Sequence, residues 1–476
     1  PAGRSNYAGS VYIYQISSTQ SATQSSEEYI VQADSTGGEG YGASVGISGD
    51  YAIVGSPYED AGGSAAGAAY VYKRDGTTWT QQAKLTASDA ATNDYFGQSV
   101  AILGDYAFVG SPYNDSPDNS GSVYIFKNEG TYSLNQVGHT IPDEHTSYYG
   151  ASDWICQSVS GTVGIYKHIY RTGTPVDSGL NTLQYDSSTS TWSDHGTGQP
   201  EKFTKNDTNW SNRSSTVTNV QAGDVIRGWK DNVNSQRGQF THPSGSTTTW
   251  SQQKLTASDA ASNDEFGLDV SMSGDYAIVG ANSGDQRPGS AYIFKRSGTS
   301  WSQEAKIQAS DGATSDRFGK AVAISGDYAV VGAYNDTSGA GSVYIFKKDT
   351  GAETWSQEAK LIASDAAGSD NFGWYVDISG DTTVIGSRYD DDGGSNSGSA
   401  YIFERSGTTW TEVKKITASD AAANDKFGSM VAIDGTTVFV GSAENDTKGS
   451  NAGAAYVYEK VYVGPTLTYD NANKLS

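Results

Sequence analysis

The sequence is short of residues on which several common classes of protein depend. Its 476 residues include one cysteine and two methionines. The single cysteine, Cys156, cannot form a disulfide within the chain, so the sulfur content does not indicate a redox compartment. No run of about 18 apolar residues occurs, and the first residues lack the charged-then-apolar pattern of a signal peptide. We therefore expect no membrane insertion, and we interpret the sequence as a piece of a longer or processed chain.

Basic residues are also scarce. The chain has 31 lysines and arginines against 54 aspartates and glutamates, a formal net charge of -23. Such a charge repels a phosphate backbone and an anionic bilayer surface, and it favours solubility. We therefore expect neither nucleic acid nor an anionic membrane as a partner.

The sequence motifs of the common catalytic sites are missing as well. No Gly-x-Ser-x-Gly, Walker loop or dinucleotide-binding fingerprint occurs. His168, His195 and His242 have neither the i, i+4 spacing nor the cysteine partners of a zinc site. No pair of carboxylates stands out as a glycosidase pair. The sequence therefore predicts a protein that is not an enzyme.

Internal repetition is the dominant positive signal. Similar segments recur every 50 to 55 residues or so, a period typical of repeat architectures. Each begins with an aromatic residue followed by glycine, at Tyr41-Gly42, Phe96-Gly97, Phe266-Gly267, Phe318-Gly319, Phe372-Gly373 and Phe427-Gly428. A further pair, Tyr149-Gly150, falls on the same spacing after Phe96 and suggests a seventh, degenerate copy.

Each copy contains four β-rich runs. In the copy that begins at Phe318, the runs are 320–324, 328–332, 342–346 and 355–361. The first two are joined by Ser325-Gly326-Asp327, where glycine supplies the positive φ of a tight hairpin turn. Four strands in a repeat of this length are typical of a propeller blade.

These units resemble the FG-GAP repeats, which are best known from integrin α-subunits and from many bacterial, algal and viral surface proteins. The resemblance rests on Phe-Gly, Val-Ala-Ile-Ser-Gly-Asp-Tyr-Ala, Val-Gly-Ala and Gly-Ser-Val-Tyr-Ile-Phe, and it extends over most of the chain. It implies an all-β fold, a seven-bladed β-propeller of four-stranded blades. It also implies adhesion or ligand binding. The spacing from Tyr149 to Phe266 exceeds one repeat period and predicts a β-rich insertion in the third blade.

The repeats and the resemblance together predict five segments. Residues 1–40 are N-terminal strands that close the propeller by completing the last blade. The remaining segments are blades 1 and 2 at 41–148, a degenerate third blade at 149–265 with an inserted subdomain at about 168–247, blades 4 to 7 at 266–460, and a linker or the start of a following domain at 461–476.

Calcium is the one cofactor that the sequence suggests. Many FG-GAP proteins carry an Asp-x-Asp-x-Asp-Gly loop between the first two strands, but this chain has only Ser-Gly-Asp there, so that site does not carry over. Two carboxylates five residues apart precede each of the five Phe-Gly motifs and could hold a calcium ion with backbone carbonyls, or could instead cap turns. These pairs are Asp89 and Asp94, Asp259 and Asp264, Asp311 and Asp316, Asp365 and Asp370, and Asp420 and Asp425. A separate acidic loop with Asp390 and Asp392 is a further candidate calcium site.

The stretch from about 131 to 250 differs from the repeats and contains all five histidines. Insertions in repeat proteins often carry recognition. Trp192, Trp210, Trp229 and Arg227 are therefore candidate ligand-binding residues, with the alternative that the tryptophans form the core of the insertion.

Asn-x-Ser/Thr sequences mark acceptors for N-glycosylation on an extracellular protein. They occur at Asn206, Asn209, Asn212, Asn335 and Asn445.

The sequence supports two functional hypotheses for an extracellular or surface-exposed protein of a cell, an appendage or a virion. The first is an adhesion or host-recognition module that binds a glycan or a surface protein. The second is a structural subunit of an extracellular filament, appendage or virion surface that packs against copies of itself or against a filament shaft.

Overall fold

The computed structural model describes residues 11–16, 24–30, 38–60, 62–114, 119–128, 250–283, 287–447, 452–463 and 466–475, together with the backbone of eight short strands between 152 and 241. The chain divides into two compact units. One is made of Pro1–Lys127 and Gln252–Ser476, and the other is Asn128–Ser251.

The larger unit starts with a two-stranded antiparallel hairpin, β1 (Val11–Ile16) and β2 (Gln24–Ile30). The first blade follows it. Its four antiparallel strands are β3 (Ser44–Ser48), β4 (Tyr51–Ser56), β5 (Ala68–Asp75) and β6 (Thr78–Leu85).

The second blade is interrupted by the smaller unit. Its first three strands are β7 (Ser99–Leu103), β8 (Tyr106–Ser111) and β9 (Ser122–Asn128). The smaller unit then contributes β10 (Ser152–Ser160), β11 (Val163–Tyr170), β12 (Thr182–Asp186), β13 (Thr191–Asp194), β14 (Lys202–Lys205), β15 (Thr216–Val217), β16 (Val225–Trp229) and β17 (Arg237–Thr241). The fourth strand of the second blade, β18 (Trp250–Leu255), pairs with β9.

Four further blades are continuous in sequence. The third has β19 (Val270–Ser273), β20 (Tyr276–Ala281), β21 (Ser290–Ser297) and β22 (Ser300–Ile307). The fourth has β23 (Phe318–Ser325), β24 (Tyr328–Ala333), a single helical turn α1 (Asp336–Gly339), β25 (Ser342–Asp349) and β26 (Thr354–Leu361). The fifth has β27 (Phe372–Ser379), β28 (Thr382–Ser387), β29 (Ser399–Ser406) and β30 (Thr409–Ile416), and the sixth has β31 (Phe427–Asp434), β32 (Thr437–Ser442), β33 (Ala454–Val463) and β34 (Thr466–Leu475).

The blade count corrects the sequence prediction, because the described residues form six four-stranded blades and not seven. A degenerate third blade was predicted at 149–265, from the spacing of Tyr149-Gly150. Instead, the strands after that point pair among themselves in a five-stranded and a three-stranded sheet, and Trp250–Leu255 returns to complete the second blade. The insertion therefore lies between the third and fourth strands of the second blade. The prediction was wrong because Tyr149-Gly150, inside the insertion, happens to fall one repeat period after Phe96.

The two ends of the chain also differ from the prediction. The sixth blade takes its fourth strand from Thr466–Leu475, which had been assigned to a linker or a following domain. Within the described residues, no N-terminal strand pairs with that sheet. The hairpin β1–β2 contacts the first blade instead, where Val11, Ile13 and Ile30 pack near Tyr41 and Tyr70.

The aromatic-glycine motif joins one blade to the next. Phe96 is fully buried and forms a parallel bridge with Gly67 of the preceding blade. A Cβ atom on Gly97 would lie 2.3 Å from the carbonyl oxygen of Ala68, and Gly97 has φ = 92°. Only glycine tolerates both the close approach and the positive φ, so the motif is required by packing between blades.

Side chains on the first strand of one blade also satisfy backbone N–H groups of the next blade. Asp269, directly before β19, accepts from the N–H of Val322 at 2.8 Å, and Asp377 of β27 accepts from the N–H of Ile433 at 2.8 Å. Burial raises the pKa of both carboxyls to about 6, against the opposing effect of these hydrogen bonds.

One face of the first blade is exposed where the same face of later blades is covered. Val45 and Ile47 of β3 are 52% and 62% exposed, whereas their equivalents Val100 and Ile102 are 8% and 6% exposed. In the later blades this face packs against the blade before it, as Val322 and Ile324 do against the third blade. The exposed pair therefore marks an uncovered blade surface.

Among the described residues, no helix has the length and apolar character needed to cross a bilayer.

Candidate functional site

The second aspartate of each predicted calcium pair caps the turn that precedes its Phe-Gly motif. In each case one carboxylate oxygen accepts a hydrogen bond from the backbone N–H three residues earlier. The pairs of donor and acceptor are Ala91 and Asp94, Ala261 and Asp264, Ala313 and Asp316, Ala367 and Asp370, and Ala422 and Asp425, at 2.6 to 3.0 Å. All five carboxylates are buried, so this contact fixes the loop between blades.

The first aspartate of each pair has a different set of partners. Asp259 accepts from the Tyr292 hydroxyl at 2.9 Å and from Lys306 at 2.6 Å. Equivalent groups recur as Asp89 with Tyr124 and Lys254, Asp311 with Tyr344 and Lys360, and Asp365 with Tyr401 and Lys415. Asp420 likewise accepts from the Tyr456 hydroxyl, and the backbone register sets Lys474 opposite Tyr456.

We call each such group a lysine cluster: an aspartate before Phe-Gly, a tyrosine on the third strand and a lysine on the fourth. The hydrogen bond from Lys306 lowers the pKa of Asp259, and the one from Lys360 does the same for Asp311; burial opposes both. The two carboxylates of each pair thus have different hydrogen-bond partners, and calcium binding by the pairs stays a prediction.

The lysine cluster of the fifth blade has the densest negative charge. Carboxylate oxygens of Asp365, Asp390 and Asp392 lie within 4.8 Å of one another. The Lys415 ammonium donates to all three, at 2.6, 2.9 and 2.5 Å. The Tyr401 hydroxyl donates to Asp365 and Asp390.

This oxygen set suits calcium in chemistry but not in charge as it is arranged. Calcium takes about six to eight oxygen ligands, of which three carboxylates supply a good share. The ammonium of Lys415 already bonds to those oxygens, and its positive charge repels a divalent cation. The Lys415 ammonium thus already serves as the cation of these three carboxylates, and calcium binding here stays a prediction.

The predicted ligand-binding residues of the insertion lie largely beyond what the structure describes. Trp192 is on β13, and Arg227 and Trp229 are on β16, where only the backbone is described. Trp210 lies outside the described residues. Their role in binding stays a prediction.

The glycosylation candidates fall into three groups. Asn206, Asn209 and Asn212 lie outside the described residues. Asn335 is partly exposed, and its amide donates to the carbonyl oxygen of Ser315 at 2.8 Å. Asn445 is 2% exposed and its amide donates to buried Asp425 at 3.0 Å, so a glycan cannot be attached in this conformation.

A further cluster was missed by the sequence reasoning. Trp374 of β27 stacks with Arg388, whose Cζ is 3.4 Å from the ring centre, and the Lys320 Nζ is 5.1 Å from the same centre. Tyr334 contacts the indole edge to face at 4.7 Å, and Tyr389 accepts from Arg388. The signal was present in the repeats, because these positions depart from the residues in the other blades. We call Lys320, Trp374 and Arg388 the indole cluster.

The family comparison matches six segments of the chain to the FG-GAP repeat model: 25–72, 79–126, 250–294, 301–346, 355–403 and 410–458. The segments are offset from the blades by one strand. The segment 79–126 begins within β6 of the first blade and ends within β9 of the second. No curated protein matches the chain.

Two solved structures match the chain at low sequence identity and with low TM-scores. A putative 6-phosphogluconolactonase from Bacteroides fragilis is 12% identical, with a TM-score of 0.34, over 88% of this chain and 98% of that one. A protein from Lactobacillus plantarum is 10% identical, with a TM-score of 0.40, over 98% of this chain and 96% of that one. Family membership rests on the six repeat matches, which cover more than half of the sequence, and by them the chain belongs to the FG-GAP repeat family.

Proposed function

We propose that this protein is an extracellular recognition module, in which the FG-GAP propeller is a scaffold and the unit Asn128–Ser251 carries the contact with a glycan or a surface protein. The observation that supports this is the position of the insertion. A compact unit of its own interrupts the turn between β9 and β18, while the blade around it keeps all four strands.

The other blades show how little connection this turn needs. In the fifth blade only Gly407 and Thr408 separate the third strand from the fourth. The blade does not require the insertion for pairing, because β9 and β18 are neighbours in the sheet. A long segment at a place that folds with two residues is typical of a functional loop.

The test is a binding screen with the full chain and a shortened chain. In the shortened chain residues 129–249 are replaced by Ser-Gly-Thr-Thr, the sequence of 406–409 in the fifth blade. We expect the full chain to bind a member of a glycan or cell-surface panel, and the shortened chain to keep its β-type circular dichroism but lose the binding.

A shortened chain that still binds would contradict the role of the insertion. Loss of cooperative unfolding in the shortened chain would show that the insertion stabilises the propeller. A second shortened chain that keeps 129–132 and 246–249 then separates a strained junction from a true structural role.

The uncovered surface of the first blade favours the second candidate, a structural subunit that packs against copies of itself. Val45 and Ile47 are exposed there, and Met430 on β31 of the sixth blade is 44% exposed. Apolar patches of this kind support association. Sedimentation measurements would support this candidate if the chain self-associates and Ile47→Asp abolishes the association. Ile362→Asp, at another exposed isoleucine (58% exposed), is the matched control.

A further inference from the structure

Cations in this acidic chain are usually matched with carboxylates. In the lysine clusters, Lys254, Lys306, Lys360 and Lys415 each form an ion pair with an aspartate. Lys84 of the first blade pairs with Glu59. Arg74, Arg296 and Arg405, on third strands, pair with Asp50, Asp275 and Asp381. Repeated pairing of this kind is part of the structural pattern of the blades.

Lys320 and Arg388 break this pattern, because among the described residues neither has an ion-pair partner. Arg296 is the informative comparison. Like Arg388, it has its guanidinium over an aromatic ring, with Cζ 4.8 Å from the centre of Tyr106. In both arginines Nε is buried and has no hydrogen-bond acceptor among the described residues. Arg296 nevertheless bonds to Asp275, whereas Arg388 bonds to the neutral hydroxyl of Tyr389.

The two unmatched cations are held in place on one ring. Arg388 stacks on Trp374 at 3.4 Å, and Lys320 is 5.1 Å from the same ring centre. Cation–π contact orients a cation without neutralising it. Burial lowers the pKa of both groups; for Lys320, Asp269 opposes this and Arg388 adds to it. The fold thus keeps two partly buried charges at a cost that no carboxylate at ion-pair distance offsets.

A comparison of the repeats shows that only the fourth and fifth blades have partly buried cations at these positions. At the position of Lys320 and Trp374, directly after the aromatic-glycine motif, the other blades have Ala43, Gln98, Leu268 and Ser429. At the position of Arg388 they have Pro57, Pro112, Asn282, Tyr334 and Ala443. A blade therefore folds without a cation at either position. In a repeat protein, residues needed by the fold recur, and a costly departure confined to adjacent blades indicates a function.

We propose that the indole cluster is a binding site for a sugar acid, with the ligand carboxylate between Lys320 and Arg388 and the sugar ring against the neighbouring aromatic side chains. A guanidinium and an ammonium together recognise a carboxylate through charge-assisted hydrogen bonds. Tyr334, Trp374 and Tyr389 supply the apolar surface, and each is partly exposed. The net charge of -23 disfavours a polyanion, so a ligand with a single carboxylate on an otherwise neutral ring is the better match.

The site lies wholly on the fourth and fifth blades and does not depend on the proposed role of the insertion. The experiment is ligand-observed NMR on the full chain with glucuronic acid, glucose and acetate as probes. We expect glucuronic acid to bind at least tenfold more tightly than glucose or acetate. Lys320→Met and Arg388→Met should each weaken glucuronic acid binding at least tenfold, without a fall in melting temperature.

The matched control is Lys73→Met. Lys73 also lies over an aromatic ring, with its Nζ 5.6 Å from the centre of Tyr51, but it is far along the chain from the indole cluster. Its removal should leave glucuronic acid binding unchanged. Equal binding of glucose and glucuronic acid would overturn the proposal, as would an equal loss in Lys73→Met. Acetate binding as tight as that of glucuronic acid would overturn the assignment to a sugar.

Discussion

The lysine clusters and the indole cluster treat positive charge in opposite ways. Lys415 is surrounded by three carboxylates, while Lys320 and Arg388 flank a tryptophan and have no carboxylate at ion-pair distance among the described residues. The first arrangement recurs from blade to blade and the second occurs once in the described blades. The lysine clusters therefore contribute to the stability of the propeller, whereas the fold does not require the two cations of the indole cluster.

The largest expected effect is the loss of Lys415. Lys415→Met leaves Asp365, Asp390 and Asp392 facing one another, and Asp390 is buried. Removing one partner of a buried ion pair costs several kcal/mol of stability, and we expect the free energy of unfolding to fall by about 2 to 4 kcal/mol. Urea unfolding followed by circular dichroism measures this change.

Calcium should restore part of that stability, because the three carboxylates no longer share their oxygens with an ammonium. Wild-type protein should keep the same melting temperature with EGTA or with excess calcium. The matched control is Lys360→Met, where only Asp311 and Asp336 lose their cation, and where calcium should restore less. A wild-type melting temperature that falls in EGTA would show that a metal binds in spite of Lys415.

The aspartates of the lysine clusters and the buried pair Asp269 and Asp377 should give opposite dependences of stability on pH. The pKa of Asp269 and of Asp377 is raised by burial to about 6, so both favour the protonated form in the folded state. Their contribution to stability therefore falls as pH rises through 6. The pKa of Asp259 and Asp311 is lowered by Lys306 and Lys360, so their contribution is lost as pH falls below the ordinary aspartate range near 4.

Melting temperature against pH should therefore pass through a maximum on the acid side of neutrality. Asp269→Asn with Asp377→Asn should flatten the decline between about pH 4, the ordinary aspartate pKa, and about pH 6, while leaving the loss of stability in stronger acid. An unchanged decline over that range in this double variant would assign it to other groups.

The loss of a cation from the indole cluster should have a smaller effect and a different sign. Lys320→Met removes a partly buried charge without leaving a carboxylate unpaired, so we expect stability to be unchanged or to rise by up to about 1 kcal/mol. Comparison with Lys415→Met in the same urea experiment tests the contrast directly. A loss as large as that of Lys415→Met would place Lys320 among the structural cations.

The smallest effect is expected at an exposed ion pair. Arg74 and Asp50 form one at 2.7 Å, but both side chains are well exposed. Arg74→Ala should change the free energy of unfolding by no more than about 0.5 kcal/mol, and added salt should reduce the difference further. A change of several kcal/mol would show that even exposed pairs hold the blades together.

Local signals in the sequence predicted the blade well. The Ser-Gly-Asp turns form hairpins, with positive φ at Gly49, Gly274 and Gly326, as that turn requires. The four strands of each repeat pair in sequence order, apart from the interruption in the second blade. Hairpin register depends on neighbouring residues, so a local pattern is sufficient to predict it.

The count of blades could not be predicted from the same signals. Spacing treats an insertion and a repeat of similar length alike, so Tyr149-Gly150 suggested a blade that does not form. The final strand was missed because 466–475 lacks the repeat motif, although Lys474 lies opposite Tyr456 as Lys415 lies opposite Tyr401. That correspondence becomes visible only when the strands are paired.

The candidate sites were predictable in part for a similar reason. The aspartates stood out by repetition, but their lysine partners lie on fourth strands far along the chain, such as Lys254 for Asp89. The indole cluster unites residues from two blades and carries no motif. Aligned repeats show which positions differ, but only the structure shows that these positions lie around one indole ring.

The one-strand offset between the FG-GAP segments and the blades has a consequence for the history of such genes. Five of the six segments bring the outer strand of one blade and the three inner strands of the next, and the first, 25–72, begins with β2 of the N-terminal hairpin. A tandem duplication or deletion of one internal segment therefore adds or removes four strands, and the blades on either side of the change still have four strands each. Repeat number can then change by unequal crossing-over without an intermediate that carries a broken sheet.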